Sequence, residues 1–166
     1  MNKPILYISC GIPGSGKTTF LNKYKKENEV IISRDDIRFT FLKDKEDYFT
    51  HEKEVYKVFI DKIGKELEKG NNVYADATHL NRGSRYKLLS NLKKYFPTLD
   101  YDIEVIYFDV PKQICLQRNK NRTGRTKVPE SIILNMARSL SKPTLEEENF
   151  KHIWIVDKDG IVSKEY

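Results

Sequence analysis

Gly11, Gly14 and Gly16 precede Lys17 and Thr18 in the run GIPGSGKT. Glycines at these intervals let consecutive backbone N–H groups converge on phosphate oxygens without side-chain obstruction. A lysine at the end of such a loop can bridge β and γ phosphates, and the hydroxyl after it can ligate Mg²⁺. The run is therefore read as a cradle for ATP or another nucleoside triphosphate, built from Gly11, Ile12, Pro13, Gly14, Ser15, Gly16, Lys17, Thr18 and Thr19. Lys17 is expected to act on the phosphates and Thr18 on the metal.

Three further clusters carry chemistry. Ser33-Arg34-Asp35-Asp36-Ile37-Arg38 follows a short β-branched run. A carboxylate there, across from a phosphate loop, can take the proton of an attacking hydroxyl, which makes Asp35 the candidate base. Arg38, three residues on, can hold an anionic group of the acceptor if a helix starts at this point. The plainer reading is a helix-capping Asp and a surface Arg. Asp76-Ala77-Thr78 ends another such run. Asp76 can order Mg²⁺-bound water or position a neighbouring group, and Asp76 and Thr78 are placed on the acceptor side; an Asx turn is the alternative. His79 is read as a packing or surface residue. Finally, Arg118 to Arg125 reads RNKNRTGR, within a stretch from Val110 to Pro129 that holds no acidic residue. Arg118 and Arg122 are four apart, so a continuing helix would put both on one face, where a closing lid could bring them onto ATP phosphates.

These residues need a scaffold. Short apolar runs at Ile5 to Cys10, Val30 to Ser33, Val73 to Ala75, Ile103 to Phe108 and His152 to Val156 alternate with longer amphipathic stretches. That alternation predicts an α/β fold with a parallel sheet of about five strands flanked by helices. In such sheets ligands sit beyond the carboxyl ends of the strands, where the clusters above fall. Helices are expected from Lys17 to about Asn28, from about Asp47 to Lys69, from Gly83 to Phe96, from Pro111 to about Arg122 and from Pro129 to Leu140. Val55, Phe59, Ile63 and Leu67 form an inward stripe. Residues 119 to 128 are left as a basic lid loop.

The chain's 166 residues, 39% hydrophobic and 33% charged, suit one globular domain spanning 1 to 166. No apolar run has membrane-spanning length, and no leader pattern precedes the first strand, so a cytoplasmic location is expected. Two cysteines, Cys10 and Cys115, are too few for a disulfide framework or zinc site. The net charge of +6 favours anionic partners.

In this order, GIPGSGKTT, SRDDIR, DAT and QRNKNRTGR resemble the 5′-hydroxyl polynucleotide kinases, both the phage end-healing enzymes and the kinase module of bacterial RNA-repair proteins. The resemblance runs from about Ile5 to about Ile155 and implies Mg²⁺-dependent transfer of the ATP γ-phosphate to the 5′-hydroxyl of an RNA or DNA end. It implies Lys17 and Thr18 as phosphate and metal contacts and Asp35 as general base. It also implies Arg38 on the acceptor's 3′-side phosphate, and Arg118 with Arg122 on the ATP phosphates. A one-residue difference in lid spacing makes Arg125 a competitor of Arg122 for the catalytic place. The familiar enzymes carry further modules, so a ligase or phosphatase partner is left open. Asp157-Lys158-Asp159-Gly160 is read as a hairpin turn rather than a phosphatase motif. The alternatives are a small-molecule or nucleotide-sugar kinase of the same fold, zeta-toxin-like, and a non-catalytic, nucleotide-dependent RNA-binding module.

Overall fold

The apolar run at the start of the chain has no polar face because it is the inner strand of a sheet covered on both sides. The computed structural model describes residues 2–147 and 149–166, and the backbone alone of Arg125. In it, strand β1 (Ile5–Cys10) lies between β3 (Val73–Asp76) and β4 (Asp102–Phe108). β2 (Val30–Ser33) adds beyond β3, and β5 (His152–Val156) beyond β4, all parallel. A sixth strand, β6 (Val162–Glu165), pairs antiparallel with β5, giving the order β2-β3-β1-β4-β5-β6. The sequence pattern missed β6 because it is short, polar and at the edge. The turn before it forms as expected: Asp157 Oδ1 accepts from the amides of Asp159 and Ile161 at 2.9 and 3.0 Å.

Helices cover both faces. α3 (Glu52–Glu68) and α4 (Arg82–Tyr95) pack on one side, where Val55, Phe59, Ile63 and Leu67 are buried against Leu6, Ile8 and Val105. α1 (Lys17–Tyr24), α5 (Lys112–Lys120) and α6 (Glu130–Ser139) pack on the other, with Phe20, Cys115 and Ile133 against Ile106 and Phe108. α2 (Arg34–Phe41) starts directly at the end of β2, since the Ser33 hydroxyl accepts from the Asp36 amide at 3.2 Å and caps it.

Besides the earlier end of α5 at Lys120 rather than about Arg122, two helix boundaries differ from expectation for local reasons. α1 stops at Tyr24 because the Glu29 carboxylate, held by Asn72 and the Tyr74 hydroxyl, accepts from the Lys26 amide at 2.9 Å and builds a turn. α3 begins at Glu52 rather than Asp47, because Asp47–Thr50 form a turn closed at 3.0 Å.

The segment entering β5 is fixed by an ion pair inside the core. Arg85, fully buried on α4, donates from Nε and Nη2 to the two oxygens of Glu147 at 2.7 and 3.0 Å. Its Nη1 donates to the carbonyls of His79 and Ser141 at 3.0 and 3.3 Å. A buried pair of this kind is worth little against an apolar replacement, yet removing one partner strands a charge. Arg85→Met should therefore cost about 3–5 kcal/mol in urea unfolding, and adding Glu147→Leu should recover most of that loss.

Candidate functional site

The carboxyl ends of β1, β2 and β3 open into one cleft of about 340 Å³. Its floor is the loop leaving β1. Gly14 and Gly16 have φ of 87° and 89°, a left-handed conformation that favours glycine. A Cβ at Gly14 would also stand 2.6 Å from the Cys115 carbonyl of α5, so the loop can lie this close to α5 only without a side chain there. The Gly11 amide donates to Thr78 O at 2.9 Å, tying the loop to the exit of β3. Ser15 is buried with its hydroxyl unpartnered among the described residues. Because Gly16 caps α1, the positive end of that helix faces the cleft.

Lys17 Nζ donates to Gly11 O and Ile12 O, both at 3.0 Å. Burial lowers its pKa, and the nearby carboxylates Asp76 and Asp35 oppose that shift. The Thr18 hydroxyl donates to Asp76 Oδ2 at 2.9 Å. Burial raises the Asp76 pKa, with Lys17 and the Thr18 bond acting against it. A hydroxyl beside a carboxylate at a phosphate cradle is an oxygen donor set that fits Mg²⁺, which is held through one or two protein oxygens and substrate phosphates.

Across the cleft lies the start of α2. Asp35 Oδ1 accepts from Arg38 Nη1 and from the Tyr48 hydroxyl. Arg38 is buried and forked onto Glu52, from Nε at 3.0 Å and Nη2 at 2.6 Å, while its Nη1 also donates to Tyr48 Oη at 2.7 Å. Arg34 reaches the same carboxylate at 2.7 Å, so Glu52 sits between two guanidinium groups.

On the third side α5 ends at Lys120, and the chain continues through a 3₁₀ turn, Gly124–Thr126, into α6. Asn119, buried, donates from its amide to Val128 O at 2.6 Å and accepts from the Val128 amide at 2.9 Å. This side chain closes the loop that carries Arg122.

Residues 6–143 match the AAA domain family. The chain belongs to that family. Protein kti12 of Schizosaccharomyces pombe is 31% identical over 134 residues, covering 72% of this chain and 45% of the relative. A chain of the Pnkp1/Rnl/Hen1 RNA repair complex is 28% identical with a TM-score of 0.66, over 84% of this chain and 45% of that one. A sugar kinase from Janibacter sp. HTCC2649 superposes with a TM-score of 0.63 over 95% of this chain and 87% of that one, at 14% identity, which bears on the fold alone. This AAA domain thus spans less than half the length of the first two proteins. It has the fold of the P-loop kinases, with a nucleotide-binding cradle. Among the described residues, no helix is long and apolar enough to cross a membrane.

Within this AAA domain the cleft brings together Lys17, Thr18, Thr19, Asp35, Arg38, Asp76, Thr78 and Arg122. Asp76, expected to order Mg²⁺-bound water or to position a neighbouring group and placed on the acceptor side, lies in the cleft and accepts from the Thr18 hydroxyl. Arg118 and Arg122 do not share a helix face, because α5 ends between them. Arg118 lies outside the cleft lining and donates to Gly14 O at 3.1 Å and Lys158 O at 2.6 Å, bracing the loop against the β5–β6 hairpin. The side chain of Arg125 lies outside the described residues. Sequence reading missed Tyr48, Glu52 and Asn119. Tyr48 and Glu52 lie outside every motif and matter through Asp35 and Arg38, 13 and 14 residues away, while Asn119 lies inside the basic run but acts through the backbone of Val128 rather than through charge.

His79 is buried with φ 40°. Its Nδ1 faces the Ser9 carbonyl at 2.9 Å and must carry the proton, leaving Nε2 without a partner among the described residues. Burial lowers its pKa to about 3 from 6.5. The unfolded chain therefore binds the proton first as pH falls. The stability linked to His79 is complete above about pH 6.5 and is lost progressively towards about pH 3. Between about pH 7 and pH 5, His79→Gln should lose about 2 kcal/mol less unfolding free energy than wild type, measured by urea melts.

Proposed function

We propose that this chain transfers the γ-phosphate of ATP to the 5′-hydroxyl end of a polynucleotide, RNA or DNA. The carrying observation is that Asp35 and Arg38, on the first turns of α2, share one cleft with Lys17, Thr18 and Arg122. A carboxylate facing a phosphate cradle is what an attacking hydroxyl requires, because the proton must leave as the new P–O bond forms. Asp35 accepts that proton. Lys17 and Arg122 hold the phosphate charge, and Arg38 contacts the phosphate on the 3′ side of the acceptor. Thr18 with Asp76 would hold Mg²⁺, which neutralises charge on the phosphates when bound. The likeness to a chain of an RNA repair complex, at 28% identity, supports a nucleic-acid end as acceptor.

One contact favours a second reading. Glu52 already occupies the fork of Arg38, as suits an acceptor without a phosphate, such as a sugar or other small molecule.

Transfer of labelled γ-phosphate to 5′-OH oligonucleotides, mononucleotides and a sugar panel separates the two. The expected outcome is labelling of oligonucleotide ends, reduced at least about 100-fold in Asp35→Asn. Arg38→Ala should raise the KM for the oligonucleotide and leave ATP binding intact. Labelling of sugars alone selects the second reading, and no transfer to any 5′-OH end overturns the first.

A further inference from the structure

The carboxylate proposed as base is not free to rotate, and the group that holds it lies outside every motif. Tyr48, in the connection between α2 and α3, donates its hydroxyl hydrogen to Asp35 Oδ1. The same hydroxyl oxygen accepts from Arg38 Nη1 at 2.7 Å, and Arg38 Nη1 also donates to Asp35 Oδ1. The three side chains form a closed ring of hydrogen bonds around one carboxylate oxygen. The other, Oδ2, carries no hydrogen bond among the described residues, and Asp35 remains more than half exposed to the cleft.

The aromatic part of Tyr48 is fixed as well. Its ring lies under the Arg38 guanidinium, 4.3 Å from the carbon at its centre, and meets Phe49 edge-on at 4.7 Å. Glu52 holds that guanidinium from its other edge. The hydroxyl therefore approaches Asp35 from a direction set by packing rather than by a flexible loop side chain.

We propose that Tyr48 is a positioning residue for phosphoryl transfer, holding Asp35 Oδ1 so that Oδ2 alone faces the acceptor hydroxyl. This rests on Asp35 as the base. In the step, the acceptor oxygen bonds the γ-phosphorus and the bond from that phosphorus to the β-bridging oxygen breaks. The acceptor proton passes to Asp35 Oδ2, and ADP leaves. Tyr48 gives up no proton. Its pKa is raised by burial and by the adjacent Asp35 charge, which keeps the phenol protonated and donating.

Tyr48→Phe retains the ring under Arg38 and removes only the hydroxyl. In the labelled-phosphate assay kcat should fall about tenfold, while the KM for ATP and the thermal midpoint stay at wild-type values. Unchanged kcat overturns the proposal. A second arm does not depend on the acceptor. Proton NMR of the full chain should show an exchange-protected downfield hydroxyl signal, lost in both Tyr48→Phe and Asp35→Asn. If that signal is missing from wild type, or persists in either variant, the Tyr48–Asp35 bond is overturned. Wild-type protein that shows the signal but phosphorylates no 5′-OH end refutes the polynucleotide reading while upholding the bond.

Discussion

The close approach of the phosphate loop to α5 is the constraint on which the site depends. The loop must turn its amides into the cleft, which requires left-handed backbone at Gly14 and Gly16. It does so while resting against the Cys115 backbone, with no space for a Cβ at Gly14. Packing thus couples the cradle to α5, and Arg118 strengthens the coupling by donating to Gly14 O. One turn later the same helix supplies Asn119, whose amide closes the loop bearing Arg122. The cradle and the loop bearing Arg122 are two ends of one packed unit. A shift of α5 would move both together.

A second unit secures the opposite wall. The loop's first amide bonds Thr78 O, and His79 bonds Ser9 O, so the exits of β1 and β3 are cross-tied. Arg85 then fastens His79 O to Glu147 and Ser141, drawing the chain before β5 against this wall. Its charge is fully enclosed, which makes the arrangement intolerant of losing either partner, since an unpaired buried charge costs several kcal/mol. The positioning of Asp76 opposite Thr18 depends on this wall, because β3 delivers both Asp76 and the Thr78 carbonyl.

Much of this architecture was legible from local pattern. The five parallel strands announce themselves as apolar runs, and the α3 stripe as a helical repeat that lands in the core. The glycine loop is legible because its chemistry demands particular residues at particular spacings. Asp35 and Arg38 were legible as a pair because they stand three residues apart where a helix could start, and the structure starts one there with Ser33, not the Asp, as its cap. Tyr48 and Glu52 were not, since each acts through a contact formed only when the α2–α3 connection and α3 pack on α2, and Asn119 was not, since its amide acts by closing a loop whose path the sequence does not mark. Arg85 looks like any surface arginine in a polar helix. Only its partner Glu147, 62 residues away, reveals it as a core residue. Arg118 and Arg122 were misjudged as a helical pair because nothing in the polar run after Lys120 marks where α5 stops.

Charge on the side of the cleft proposed to take the acceptor constrains what can bind there. Arg34 and Arg38 face Asp35 and Glu52, so the four side chains sum to zero. A guanidinium has five N–H donors. Arg38 commits Nε and one Nη2 hydrogen to Glu52 and its Nη1 hydrogens to Asp35 and Tyr48, which leaves one donor on Nη2. An acceptor phosphate can therefore meet Arg38 by a single charge-assisted bond while the fork to Glu52 stays intact. Displacing Glu52 instead would strand its carboxylate beside the incoming anion, and at about 4 Å two like charges near a protein surface repel by about 4 kcal/mol. Arg34 would compensate only in part, since it already bonds the same carboxylate. The geometry thus favours an acceptor that is read mainly through its hydroxyl and approached by one arginine donor. A polynucleotide end meets that requirement when a single phosphate reaches Arg38 and the rest of the strand runs outside this neutral pocket.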